Sequence, residues 1–357
     1  MEHPQQRNAA LDGLRGYAAL VVAIFHSITG MDPSVVQRVL DQDLSTLTEA
    51  YDRLNWITLR IFSGSAAIAL FFILSGTVLF DSLRRLKGSA ANRSVAFLYR
   101  RFMRIYPPLI LSLCIATLAY LAFGLPVSLQ GFVENAFLFS FPINGATWTL
   151  AVELIAAPLM LAAFGGYLIG RELGLLIAGI TLALLLNVNG LSTGPIKNFW
   201  PYFLVGMLIP TRIGEKAADL LPRYSWIVIL IILLYRGGPT TEKVCGGLLV
   251  ASLYYGKGDT LQKFLRIPAS AFLGKISYSF YLYNVMFVEI ICWYLRNRFP
   301  ATVYPLETGL IASVAVITLT IPFAYASAQW LEGPLNNSGK TPNQTHAIVS
   351  GETPIES

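Results

Sequence analysis

The chain has 357 residues, 55% of them hydrophobic and 13% charged, with a mean hydropathy of +0.58. That balance excludes a soluble globular domain and identifies an all-α, polytopic membrane protein. The net charge of +6 would suit nucleic acid in a soluble protein, but in a membrane chain arginines mark topology, so no nucleic-acid partner is expected.

The opening MEHPQQRNAA is polar, and the apolar run after it is not ended by a small-residue cleavage site. The first helix is therefore expected to remain in the mature protein, behind a short polar tail over 1–12. Apolar segments follow at roughly 13–30, 57–80, 105–123, 147–169, 173–188, 198–211, 224–236, 243–256, 271–295 and 307–331. These predict about ten transmembrane helices, several short for a span of about 20 residues. The stretch 128–141 is too short and interrupted to cross, and reads as an interfacial or re-entrant piece. One membrane domain thus covers 13–331, and the Pro/Asn/Ser/Thr-rich segment 332–357 reads as a disordered cytoplasmic tail.

Loop charge sets the orientation. The connection after the second segment carries Arg84, Arg85, Lys87, Arg93, Arg100, Arg101 and Arg104 against Asp81, which assigns it to the cytoplasm. The loop before it holds Asp32, Asp41, Asp43, Glu49 and Asp52 against Arg38 and Arg53, and 124–146 has no basic residue. Both are expected outside, with the two termini inside. Cys114, Cys245 and Cys292 sit in apolar stretches without disulfide or zinc spacing, so they read as packing residues and no metal is expected.

Five residues carry chemistry. Arg15 and His26 are eleven residues apart in LDGLRGYAALVVAIFHS (Leu11 to Ser27), which returns them to within about 20° of one helix face, about 16 Å apart in depth. Arg15 can snorkel to the headgroups and pair with Asp12, or line a site. His26 can simply bond a neighbouring helix, or act as a general base near neutral pH. Glu153 lies five residues beyond Trp148, about 7.5 Å deeper if Trp148 marks the outer interface, at a depth compatible with His26. Its partner is a structural hydrogen bond, the imidazole, or a sugar hydroxyl. Arg101 and Arg104, at i,i+3 ahead of Pro107 and Pro108, either satisfy the positive-inside rule or grip phosphate oxygens.

The run Leu11 to Ser27 resembles the first-helix signature of the acyltransferase 3 family of membrane O-acyltransferases, which modify O-antigens, exopolysaccharides and nodulation factors. FFILSG (Phe71 to Gly76), RRFMRIYP (from Arg100), TWTLAVE (Thr147 to Glu153), GKISYSFYLYN (Gly274 to Asn284) and LEGP around Glu332 follow in family order. The resemblance implies transfer of an acyl group, usually acetyl, from a coenzyme A thioester to a hydroxyl of a carbohydrate or glycolipid acceptor. It implies a bacterial inner-membrane location, acetyl-CoA as co-substrate, and no permanently bound cofactor. By the same resemblance His26, Arg15 and Glu153 are catalytic candidates, Arg101 and Arg104 donor-binding candidates, and Trp148, Tyr278 and Asn284 acceptor-binding candidates. Asn284 departs from the family, many of whose members place a histidine there, so His26 is left as the base. Glu289 lies outside the motifs. A proton-coupled secondary transporter using the same buried charges is the competing reading.

Overall fold

The computed structural model describes residues 8–188, 194–299 and 304–332. His3, His346 and the expected tail beyond Glu332, with the last two residues of LEGP, lie outside the described residues. Among the described residues all regular structure is helical. The helices are α1 (Ala9–Met31), α2 (Ala50–Ile61), α3 (Gly64–Arg85), α4 (Ala90–Phe123), α5 (Leu129–Ala136), α6 (Trp148–Leu186), α7 (Ile196–Leu208), α8 (Arg212–Asp219), α9 (Ser225–Arg236), α10 (Pro239–Tyr254), α11 (Asp259–Leu265), α12 (Pro268–Arg298) and α13 (Pro305–Ser327).

The ten apolar segments fall on helices, and among the described residues six helical stretches are long and apolar enough to cross a membrane by length and composition. Two boundaries differ from the sequence reading. The segment 57–80 is two helices, because Phe62 leaves the helical conformation and Ser63 caps α3 by accepting from the Ala66 amide at 3.3 Å. The basic run before Pro107 is not a loop. α4 starts at Ala90 under a Ser89 cap and carries Arg101 and Arg104 on its own surface. The separation expected between 147–169 and 173–188 is present: at Gly170 and Arg171 the backbone departs from helical geometry, and Gly174 backs onto the Gly166 carbonyl.

α1 is the hub, packing chiefly on α12 and also on α13 and α3. The α1/α12 crossing rests on Gly16 and Gly274: a Cβ added to Gly16 would lie 2.7 Å from the Gly274 amide nitrogen. Between membrane helices such close backbone approach is itself the source of association, through dispersion rather than exclusion of water. Further along, Gly30 meets Cys292 and Val288. Gly16 with Gly274 and Gly30 with Val288 keep one register, so the two helices run parallel and His26 stands level with Asn284.

The connection 124–147 is folded into the bundle. Buried Asn135, on α5, donates to Thr147 Oγ1 at 2.7 Å and accepts from the Ile143 and Asn144 amides at 3.2 and 2.9 Å. Asn144 Nδ2 in turn donates to the Leu282 carbonyl at 2.7 Å. This polar network fixes the start of α6 against α12, which determines where Thr149 and Glu153 stand. The three cysteines are free thiols, with Cys245 and Cys292 buried among helices.

Candidate active site

The parallel α1/α12 pair, α3, α4 and the first turns of α6 enclose a cleft of about 690 Å³. Its wall includes Arg15, Arg101, Arg104, Glu153 and Tyr278, all expected from the sequence, together with Phe71, Phe72, Ser75, Thr149, Ser277 and Tyr281.

Arg101 is 7% exposed and donates from Nη2 to Glu153 Oε2 at 2.7 Å. A guanidinium withdrawn this far from water needs a counter-charge, and the carboxylate of α6 supplies it. The pairing uses one edge of the fork only, because Arg101 Nε is buried with no partner. Glu153 therefore serves an arginine in this structure, and its recorded hydrogen bond is not to His26. Arg15 meets Asp12 at 3.6 Å, one turn away, so the pairing expected at i,i+3 is present while the side chain still lines the cleft. Together Arg15, Arg101 and Arg104 bring three positive charges to the cleft against the single carboxylate of Glu153. Such an excess attracts a multiply charged anion.

Tyr278 anchors α12 to α4. Its hydroxyl donates to the Ile105 carbonyl at 3.2 Å, two residues before Pro107 inside α4. One turn further along α12, Tyr281 donates to the Ala146 carbonyl and accepts from Thr149 Oγ1, both at 3.0 Å. Tyr281 also packs with Val22, Ala18, Ala146 and Phe71. This cluster forms the inner wall of the cleft.

His26 lies beyond that wall. It is absent from the cleft lining, is half-buried, and meets the edge of Phe25 at 5.8 Å. Among the described residues its imidazole has no recorded hydrogen bond. Asn284, at the same depth, is fully buried. Its Nδ2 donates back to the Phe280 and Tyr281 carbonyls at 3.0 and 2.8 Å, and its Oδ1 has no partner. Trp148 is also outside the cleft, packed against Phe72 and Phe199 at 6.2 and 5.0 Å. The structure thus gathers Arg15, Arg101, Arg104, Glu153 and Tyr278 in one cleft and keeps His26, Asn284 and Trp148 apart from it.

Sequence reasoning missed Thr149, Ser277 and Tyr281. The available signal was a polar stripe on the apolar helix α12, where Ser277, Tyr278 and Tyr281 recur at helical spacing.

Comparison with known proteins assigns the chain a family. A family model described as an acyltransferase domain, that of acyltransferase 3, matches residues 8–328. Proteins of Staphylococcus aureus strains COL, MSSA476 and MRSA252, whose names assign them provisionally as O-acetyltransferases, are 23% identical over 385 residues. The match covers 92% of this chain but 57% of those relatives, so the chain spans little more than half their length. No solved structure matches it. With a family model covering nearly all of its described helices, the chain belongs to the acyltransferase 3 family.

Proposed function

We propose that the protein is a membrane O-acetyltransferase that moves an acetyl group from acetyl-CoA to a hydroxyl of a carbohydrate or glycolipid acceptor at the outer side of a bacterial inner membrane. The observation that carries this reading is the cleft itself, where a buried arginine with an open Nε stands beside two further arginines and a single carboxylate. The O-acetyltransferase names of the bacterial relatives point the same way.

In this reading ten crossings place both termini in the cytoplasm, in agreement with the charge of the loops. The break at Gly170 and Arg171 supports counting α6 as two of them, since Arg171 shares a cleft with Arg84, at the end of α3. The donor's phosphates bind Arg101 and Arg104 from the cytoplasmic side, and its thioester reaches His26 when the side chains of Tyr281 and Thr149, which close the cleft, move aside. His26 takes the proton of the acceptor hydroxyl as its oxygen attacks the thioester carbonyl. The tetrahedral intermediate then expels the coenzyme A thiolate, which recovers that proton from the imidazolium. Asn284 Oδ1, level with His26 and without a partner, is positioned to accept a hydrogen bond from the imidazole or from the acceptor. Glu153 keeps Arg101 in place.

The test is mass spectrometry of surface glycans from cells with and without the protein. An acetyl increment that appears only with the protein supports the reading. An unchanged glycan profile, with acetyl-CoA bound but no ester formed, would favour a transporter.

A further inference from the structure

Arginine on the outer side of a membrane protein is not explained by topology, because loops there are depleted of it. In the ten-crossing topology the outer side nevertheless carries Arg38, Arg53, Arg60 and Arg236, besides Arg296 and Arg298 at the end of α12. Arg38 has a structural explanation. It is clamped by Asp32 at 2.8 Å and Asp52 at 3.0 Å. Arg53, Arg60 and Arg236 converge, from α2 and from the distant end of α9, on one open cleft of about 1100 Å³ whose lining includes a single acid, Asp43.

None of these three is ion-paired among the described residues. Arg53 spends its Nε on the Leu47 carbonyl at 2.7 Å, and Arg236 is exposed. Arg60 lies over the Trp56 ring, 4.9 Å from its centroid, and its Nε is buried with no partner. Stacking on Trp56, which is itself braced by Tyr235 at 5.7 Å, holds the guanidinium plane fixed while leaving its donors unused. A surplus of charge with a pre-oriented fork suits a multiply charged oxyanion better than a neutral sugar.

The setting specifies the rest of the ligand. Arg53, Trp56 and Arg60 share one stripe of α2, and the adjoining stripe of Leu54, Ile57 and Ile61 is apolar and exposed. An amphipathic helix of this kind lies at the boundary of headgroups and acyl chains.

We propose that Arg53, Arg60 and Arg236 form an outer-face site for the phosphate of a lipid-linked acceptor, whose hydrocarbon chain lies along Leu54, Ile57 and Ile61. The inference rests on the reading that the acceptor is used from the outer side. It adds that this acceptor is an anionic, membrane-anchored glycan carrier, so that phosphate docking at α2 precedes delivery of its sugar to His26.

The experiment is native mass spectrometry of purified protein in phosphatidylcholine nanodiscs, titrated with a polyprenyl phosphate, the matching polyprenol, phosphatidylglycerol and inorganic phosphate. The polyprenyl phosphate is expected to bind about tenfold or more tighter than the polyprenol, on the scale of hydrogen bonds to charged groups. The Arg53→Gln/Arg60→Gln/Arg236→Gln variant is expected to lose that preference while keeping its affinity for acetyl-CoA. Arg60→Gln alone serves if the triple variant fails to insert. Equal binding by wild type and variants would overturn the site. Equal binding of phosphatidylglycerol would assign it to bulk lipid, and equal binding of inorganic phosphate to a soluble anion, either of which overturns the acceptor assignment. Labelling of Ser45→Cys with an impermeant reagent separates failure of the site from failure of the topology. Reaction from inside only would remove the outer-face premise and leave the binding result standing.

Discussion

Arg101 and Glu153 meet at 2.7 Å across the α4/α6 interface, with both side chains largely withdrawn from solvent. The carboxylate neutralises the guanidinium without exhausting it, since the arginine's Nε faces no partner. Glu153 is therefore a positioning residue for Arg101, and the two should behave as a unit. Removing either side chain leaves the other charge buried and unpaired, at a cost of about 3–5 kcal/mol. Glu153→Ala and Arg101→Ala are each expected to destabilise the protein strongly, and the double change by less than the sum. Thermal unfolding of the four proteins in detergent measures the coupling, and additive losses would show that the pair does not act as one.

Replacing Arg101 and Arg104 by lysine keeps the charge that topology requires and removes the planar fork. The expected result is weaker acetyl-CoA binding by about 1–3 kcal/mol with unchanged membrane orientation. Calorimetric titration of wild type and the double variant decides it. Equal dissociation constants would reduce both arginines to markers of the cytoplasmic side.

His26 stands outside the arginine cleft, so donor binding and proton transfer should separate. His26→Gln is expected to abolish acetyl transfer while leaving acetyl-CoA affinity and insertion intact, because glutamine can hydrogen-bond but cannot take a proton near neutral pH. Residual transfer near the wild-type rate would remove His26 as the base. Lost donor affinity would mean that the wall formed by Tyr281 and Thr149 does not divide the two functions.

Glycines in this chain differ in what surrounds them. A side chain at Gly16 would meet the backbone of Leu273 and Gly274, so Gly16→Val should force α1 from α12, with loss of monodisperse protein on size exclusion. Gly165 has nothing within 4 Å of a prospective Cβ, and Gly165→Ala should be neutral or stabilising by up to about 1 kcal/mol. Similar behaviour of the two variants would contradict the crossing.

The membrane class, the positions of the apolar helices and most of the cleft were legible in the sequence because hydropathy and arginine placement are one-dimensional signals. Arg15, Arg101, Arg104, Glu153 and Tyr278, which the motifs single out, line one cleft. The relation of Arg15 to His26 was only half legible. Helical period puts both on one face, but it does not reveal that Tyr281, Thr149 and Ala146 close the cleft between their depths. Distance from Trp148 gives Glu153 a depth compatible with His26, but does not reveal that its carboxylate reaches Arg101 on the facing helix. Trp148 and Asn284 carry polar atoms within motifs, yet Trp148 packs on Phe72 and Phe199 and Asn284 bonds its own helix. The break between α2 and α3 was hidden because Phe62 is apolar, and the capping role of Ser63 has no weight in a hydropathy profile.

Transfer itself is the most direct test of the central claim. Purified protein in vesicles would receive acetyl-CoA labelled in the acetyl group, together with a lipid-linked glycan extracted from a strain lacking this protein. Wild-type protein should deposit label on the glycan in a hydroxylamine-labile ester and release free coenzyme A in equal amount, while His26→Gln should release none. Label that stays in acetyl-CoA with wild-type protein, or an ester formed equally by His26→Gln, would contradict the account.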